Sequence, residues 1–281
     1  MLENSLTVWE LNCLAILGGR NGLTGIPDVF SGLSEEEADI RFRETVDGLL
    51  EKKYLQMDME GAVRIGADGM ELLRFCCHAD RCLMLEREAP EEVGSLWVFW
   101  RLGEQCLMAE VQGENYVFST CDPALVRAFA SWNAASAGEL SAETQTIPML
   151  FLKKAARAHL AGRPEEANRI LRQNGADDQL TKLLMTGWDG KGYSLRLRLS
   201  DDQGAVEKLF VSDSCCSGEA YGTVENYRNC LAFTGRSAVE IRQEISIVLE
   251  RFFGKIKRGG VENGRAGRYY PTCRERLFSG L

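Results

Sequence analysis

The chain has 281 residues, of which 45% are hydrophobic and 26% are charged, and its formal net charge at pH 7 is −8. This balance is typical of one or two soluble globular domains and excludes a chain that is disordered throughout. No window approaches the ~18 consecutive apolar residues of a membrane-spanning helix. Residues 1–10 contain two glutamates and no basic residue, unlike a secretory signal. We therefore expect a cytoplasmic protein without membrane insertion, whose ten cysteines are reduced.

The charge is distributed unevenly along the chain. The net charge is −10 for residues 1–92, −4 for residues 93–250 and +6 for residues 251–281. Affinity for nucleic acids depends on Lys and Arg side chains that displace phosphate counterions, so the acidic first third disfavours nucleic acid as a partner. Glycines among the basic residues of the last segment indicate that residues 255–281 form a mobile basic tail.

The N-terminal half, residues 1–132, is predicted to consist of helices followed by strands. Apolar spacing predicts three helices, with a short hairpin before the third, in the order 6–17, 34–53, 54–65 (hairpin) and 68–78. Ser34 and Glu37 have the spacing of a capping box, in which each side chain hydrogen-bonds to the other residue's backbone amide. This pattern predicts where the second helix begins.

A β-meander is predicted after these helices. Short runs rich in β-branched and aromatic residues cover 82–88, 95–102, 106–112 and 115–120. The last three runs are separated by short turns that begin at Gly103 and at Gly113, which is the spacing of β-hairpins. Asp122 and Pro123 then predict the start of another helix, because Asp is a good N-cap and Pro suits the first helical position.

The C-terminal half, residues 133–254, repeats this order of elements without repeating the sequence. Its predicted elements are helices over 147–160, 164–173 and 177–185, a hairpin over 193–213, a weaker strand over 226–233 and a long helix over 237–253. The repeated order predicts an α+β fold with a central antiparallel β-sheet flanked by two helical bundles. The two halves are expected to form a single compact unit in a pseudo-two-fold arrangement.

The aromatic strand over residues 96–100 is apolar on both faces, whereas residues 193–200 alternate and predict a strand with one wet face. Either the protein's own helices or a partner protein must cover both sides of the aromatic strand. The meander's large apolar side chains are therefore the candidate partner-binding residues: Trp97, Phe99, Trp100, Met108, Tyr116 and Phe118.

The residues that usually carry chemistry do not form a recognisable site. The two histidines lie in helical patterns, and Cys76, Cys77, His78 and Cys82 lack the paired spacing of a tetrahedral metal site. Phosphate-binding glycine motifs are also missing from the sequence. We therefore expect a non-enzymatic protein without a catalytic residue, a metal or a cofactor, and an enzyme with an unrecognised site ranks third among the hypotheses.

A transcriptional regulator is the alternative function. Residues 6–75 have the element order of a winged helix, which would bind DNA. The helix nearest in position to a recognition helix, residues 34–53, carries seven acidic and four basic residues. A helix that enters the major groove needs the opposite balance.

The order of elements over residues 5–254 resembles that of the EspG-type chaperones of type VII secretion. The resemblance is carried by residues 6–18, by the segment Leu-Leu-Glu-Lys-Lys-Tyr-Leu at 49–55 with the following hairpin and helix to Phe75, by the meander over 96–120, and by 193–213 with the closing helix to Phe253. It implies a cytosolic, non-enzymatic protein that holds a helical secretion substrate. The cysteines and the basic tail depart from the mycobacterial members, which points to a WXG- or LXG-like substrate of another Gram-positive bacterium. The leading hypothesis is a chaperone that binds its partner through an apolar surface on the sheet side.

Overall fold

A ten-stranded antiparallel sheet runs through the part of the chain that the computed structural model describes, residues 5–89, 94–131, 144–212, 220–227 and 230–254. The strands of this sheet, with those of a separate two-stranded hairpin, are β1 (Ser5–Thr7), β2 (Leu55–Met57), β3 (Val63–Ile65), β4 (Arg81–Glu88), β5 (Ser95–Leu102), β6 (Gln105–Gln112), β7 (Asn115–Thr120), β8 (Thr144–Pro148), β9 (Tyr193–Asp201), β10 (Gly204–Ser212), β11 (Ala220–Tyr227) and β12 (Cys230–Gly235). The helices are α1 (Val8–Leu17), α2 (Glu35–Glu51), α3 (Ala67–His78), α4 (Pro123–Phe129), α5 (Met149–Leu160), α6 (Pro164–Gln173), α7 (Asp178–Trp188) and α8 (Ala238–Phe253).

The sheet joins the two halves of the chain edge to edge. Its strand order is β1-β7-β6-β5-β4-β9-β10-β11-β12-β8, so five strands of the first half are followed by five strands of the second. The halves meet where β4 pairs with β9, with Leu85 opposite Leu197 near the middle of the ladder. This order confirms the predicted α+β class with a central antiparallel sheet. The same sequence of strands appears on both sides of the β4–β9 junction, as the pseudo-two-fold expectation requires.

Helices α2 and α4 begin at the capping residues that the sequence predicts. In the predicted capping box of α2, the Glu37 amide donates to Ser34 Oγ at 3.4 Å, and the Ser34 amide donates to Glu37 Oε2 at 3.0 Å. Asp122 Oδ1 accepts from the Leu125 amide at 2.8 Å at the start of α4, with Pro123 as its first residue. These contacts satisfy backbone donors that the helix itself leaves without partners.

Three parts of the sheet differ from the sequence prediction. β1 occupies the beginning of the first predicted helix, and β8 precedes α5 where the prediction began the helix at residue 147. The single weak strand predicted over 226–233 is two strands, β11 and β12. Strands β1 and β8, with three and five residues, are too short to show a period in their sequence. Their hydrogen-bonding partners are also distant in sequence, since Leu6 lies opposite Tyr116 and Ile147 lies opposite Leu231. The predicted tail, 255–281, lies outside the described residues.

Two groups of helices lie on one face of the sheet, and a third group lies on the other. Side chains of α1, α2 and α3 pack with Trp100 and its neighbours on β5 to β7, and those of α5, α6 and α7 pack with Leu209 and its neighbours on β10 and β12. Residues paired across neighbouring strands share a face of a sheet. Leu209 pairs with Arg196, which pairs with Glu86, so these residues lie on the same face as Met84, two positions before Glu86. Met84 packs with the α1–α3 group and Leu209 with the α5–α7 group, so both groups lie on this face. Helices α4 and α8 pack on the opposite face. The aromatic strand β5 is therefore covered on both sides by the protein's own helices.

Candidate functional site

The six candidate partner-binding side chains lie in the interior, each at most 9% exposed. They fall into two groups on opposite faces of the sheet. Trp97, Phe99 and Met108 pack under α4 and α8, and Trp100, Tyr116 and Phe118 pack under α1 to α3. The structure therefore does not bring them together as one surface.

Specific contacts hold the two tryptophans in place. The Trp97 ring stacks on Phe129 of α4, with ring centroids 4.5 Å apart and planes 14° apart. The Trp100 indole Nε1 donates to the Thr24 carbonyl at 2.7 Å, and its ring centroid lies 6.0 Å from that of Phe118. These are core contacts, so contact residues for a partner have to be sought among the exposed side chains.

A group of exposed apolar side chains lies on the β2–β3 hairpin and on α3. Met57 and Met70 are 60% and 55% exposed, Met59 is fully exposed and Val63 is 37% exposed. Met57 and Val63 lie directly opposite each other, so their side chains share one face of the hairpin. We call Met57, Met59, Val63 and Met70 the methionine surface.

The base of this hairpin is fixed to the rest of the protein. Leu55 is buried and pairs with Ile65. Gly69 of α3 lies so close to that strand that a Cβ there would be 2.7 Å from Ile65 Cγ2. At the tip, Asp58 Oδ1 accepts from the Glu60 and Ala62 amides at 3.0 and 2.9 Å. The methionines are thus presented by an ordered turn whose base packs on a helix.

Sequence reasoning recorded this hairpin but overlooked its methionines. Met57, Met59 and Met70 lie within fourteen residues of each other, beside a Gly-containing turn whose surroundings are polar. Exposed hairpin tips are ordinarily polar, so this concentration of apolar residues at a turn was the available signal.

The polar residues of β9 form a charged strip between the two helix groups. Arg196 pairs with Glu86 on β4 at 3.2 Å and with Glu207 on β10 at 3.5 Å. The predicted alternation of residues 193–200 is present, but the polar face is not wet, because Ser194 and Arg196 are both buried. Carboxylates on both neighbouring strands compensate the buried guanidinium, as a buried charge requires.

The helix α2 exposes mainly carboxylates. Glu35, Glu36 and Glu37 form its first turn and are all exposed. Arg41 is engaged twice, since it pairs with Glu44 at 3.3 Å and its guanidinium lies 5.6 Å from the centre of the Trp9 ring. This surface is electrostatically unsuited to a phosphate backbone.

The cysteines of the predicted Cys76–Cys82 cluster belong to the core between α3 and β4. Cys76 and Cys82 are buried, and burial raises the pKa of the Cys82 thiol to about 12 and that of Cys76 well above its ordinary value. Both are neutral thiols that pack as small apolar groups. Among the described residues no group of three or more candidate ligands could hold a metal ion, and no helix there is both long and apolar enough to cross a membrane.

Comparison with known proteins gives distant structural likenesses and no match in sequence. No protein-family model matches the chain, and no curated protein matches it. Among solved structures, the chain is similar to the Mycobacterium tuberculosis type VII secretion system chaperone EspG5, whose structure was determined in complex with the PE25-PPE41 dimer. The identity is 11%, the TM-score is 0.46, and the match covers 93% of this chain and 99% of that chain. At that score we take nothing about function from the likeness, and the strand order itself establishes the fold class.

Proposed function

We propose that the protein is a cytosolic, non-enzymatic chaperone that binds a helical secreted protein, and that the methionine surface is where it does so. The observation that carries this proposal is the exposure of Met57 and Met59 on a hairpin whose base is packed and whose turn is hydrogen-bonded, with Met70 exposed on the following helix α3. Met57, Met59 and Val63 expose apolar side chains within one short hairpin, and a group of exposed apolar side chains on a soluble protein marks an interaction site. Methionine side chains are flexible and polarisable, which suits a surface that accepts related but different partners.

The dimensions of the hairpin match the end of a helix. Strands β2 and β3 have three residues each, so the ribbon is about 10 Å long at a rise of ~3.3 Å per residue. That length corresponds to about two turns of an α-helix, at ~5.4 Å per turn. An amphipathic helix would therefore place two or three apolar residues, spaced three or four apart, on the methionine surface. The family resemblance of the sequence implies that this helix comes from a WXG- or LXG-like substrate.

Charged residues around the hairpin indicate which charges the partner helix should carry. Glu51 at the end of α2, Glu60 in the turn and Asp68 at the start of α3 are all exposed. Lys53 and Arg64 are exposed in the same segment, and Arg64 pairs with Asp58 at 2.9 Å. A partner helix with Lys or Arg beside its apolar stripe would be complementary to the exposed carboxylates, which would assist association and set its orientation.

The experiment is co-expression with WXG- and LXG-like proteins of the host, followed by affinity measurement on the purified complex. Met57→Glu with Met59→Glu should weaken binding roughly thirtyfold or more, since burying a carboxylate in an apolar contact should cost at least the ~2 kcal/mol of a lost hot spot. The matched control is Leu150→Glu with Ile247→Glu, at residues that are 60% and 65% exposed on other elements. Urea unfolding of all variants verifies that the folded state is unchanged.

Two results would overturn the proposal. One is a helical secreted partner whose affinity falls equally in the hairpin variant and in the control variant. The other is the absence of any such partner together with a salt-sensitive DNA complex that Arg41→Ala or Arg43→Ala weakens, which the winged-helix element order of residues 6–75 would then explain.

A further inference from the structure

Two partly exposed cysteines face each other at the open end of the β6–β7 hairpin. The register runs from Gln112 opposite Asn115 to Leu107 opposite Thr120, and one step further Cys106 lies opposite Cys121. The Cys121 amide donates to the Cys106 carbonyl at 3.2 Å. Directly opposed residues of antiparallel strands have Cα atoms about 4.5–5.5 Å apart, which lies within the ~4.4–6.8 Å that a disulfide spans.

The two thiols each donate to a backbone carbonyl, Cys106 Sγ to that of Leu107 at 3.9 Å and Cys121 Sγ to that of Asp122 at 3.3 Å. They differ chemically, because the interaction between them lowers the pKa of Cys121 and raises the pKa of Cys106. Burial and the negative charge of Asp122 oppose the lowering of the Cys121 pKa. The positive charge of Arg101, which lies opposite Cys106 on β5, opposes the raising of the Cys106 pKa. Cys82 also raises the pKa of Cys106 slightly. The lower pKa favours Cys121 as the attacking thiol of the pair and Cys106 as the resolving one.

We propose that Cys106 and Cys121 form a thiol–disulfide exchange site whose substrate is a small-molecule disulfide. The Cys121 thiolate attacks one sulfur of that disulfide, which forms a mixed disulfide at Cys121 and releases one small thiolate. The Cys106 thiol passes its proton to the released small thiolate and attacks the Cys121 sulfur, which releases the second small thiolate; that thiolate takes from solvent the proton that Cys121 gave up on ionising. In sum, two protein thiols are oxidised to one disulfide while one small disulfide is reduced to two thiols.

The position of the pair connects this reaction to the rest of the fold. Cys121 directly precedes Asp122, which caps α4, and Phe129 of α4 stacks on Trp97. A disulfide would tie the start of β6 to the residue that precedes the N-cap of α4. The residues around the pair leave a route for a small disulfide, because Gln105, Thr120 and Asp122 are all exposed.

The test is oxidation of the full-length reduced protein with glutathione disulfide, with peptide mapping by mass spectrometry over time. The expected product is a Cys106–Cys121 linked peptide that forms faster than glutathione adds to Cys230, a partly buried cysteine on another strand. Cys106→Ser should accumulate glutathione on Cys121, because the resolving thiol is missing. Cys230→Ser is the control and should react like the wild type.

A second measurement uses only the wild-type protein. The rate of Cys121 alkylation by iodoacetamide should reach half its maximum at a lower pH than the rate at Cys106. The proposal is overturned if Cys106 and Cys121 stay reduced while Cys230 is modified, or if Cys121 in folded Cys106→Ser carries no glutathione. Wild-type mapping decides the question if that variant does not fold.

Discussion

Replacing Trp100 should destabilise the protein rather than weaken a surface contact. The side chain is fully buried on β5, its indole nitrogen donates to the Thr24 carbonyl at 2.7 Å, and Phe118 packs near its ring. Removing a buried Trp ring costs about 3–5 kcal/mol of unfolding free energy. Leaving the Thr24 carbonyl without its donor adds about 1–3 kcal/mol where water does not reach it. Trp100→Ala should therefore lose a large part of a total stability of about 5–15 kcal/mol.

The two contributions can be separated with a milder variant. Trp100→Phe keeps much of the apolar ring but removes the donor, so it should cost less than the alanine variant, and the cost includes the ~1–3 kcal/mol for the unpaired carbonyl. Urea unfolding followed by circular dichroism measures both values. Met59→Ala is the control, since Met59 is fully exposed and its truncation should change the unfolding free energy by no more than about 0.5 kcal/mol.

One result would refute this reasoning. If Trp100→Ala changed the unfolding free energy by less than about 1 kcal/mol and still weakened a partner's binding, the ring would not be held in the core. Trp100 would then be the partner anchor that the aromatic pattern of the sequence first predicted.

Two further predictions concern the charged groups at the end of α8. Arg81 donates to the Gly254 carbonyl at 2.8 Å and to other carbonyls at the C-terminal end of that helix, so Arg81→Met should cost at least about 1.5–3 kcal/mol in urea unfolding. Burial raises the pKa of Asp201 and the hydrogen bond from Arg251 lowers it, with a net lowering. The Asp201 carboxylate therefore stabilises the fold above its unfolded pKa of ~3.9, and this contribution is lost as the pH falls through the lower folded pKa. Asp201→Asn should be less stable than the wild type at neutral pH, with a difference in urea midpoint that shrinks in acid.

Exposed residues of the same types provide the controls for these two predictions. Arg74→Met and Asp202→Asn change side chains that are exposed, so each should change the urea midpoint at neutral pH much less than its buried counterpart. A loss for Arg74→Met equal to that for Arg81→Met would contradict the capping role. A wild-type-to-Asp201→Asn difference that stayed constant from neutral pH to pH 3 would contradict the ion pair with Arg251.

Local chemistry in the sequence was sufficient for most elements of the fold. The capping box of Ser34 and Glu37 acts within one helical turn, so it specifies a helix start without help from distant residues. The same holds for the turns at Gly103 and Gly113, whose φ values are +61° and +64°. Glycine adopts this conformation freely at the first position of a two-residue hairpin turn.

Part of what the sequence analysis overlooked was also locally determined. A two-residue turn after Gln112 sets the register of β6 and β7, and counting outward from it places Cys106 opposite Cys121. The cysteine pairing follows from the strand register, which the hairpin fixes as soon as its turn is known. The methionines at the β2–β3 turn were visible only as apolar residues concentrated at a turn.

Only the tertiary structure decided how the halves join and which aromatic side chains are inside. The pairing of β4 with β9 links residues more than a hundred positions apart, as with Leu85 and Leu197, and no local signal specifies such a ladder. A strand that is apolar on both faces has to be covered, but its own residues do not determine whether a helix of the same chain or another protein covers it. Here α1 to α3 cover Trp100, and α4 and α8 cover Trp97, because the two halves bring helices to both faces of the sheet.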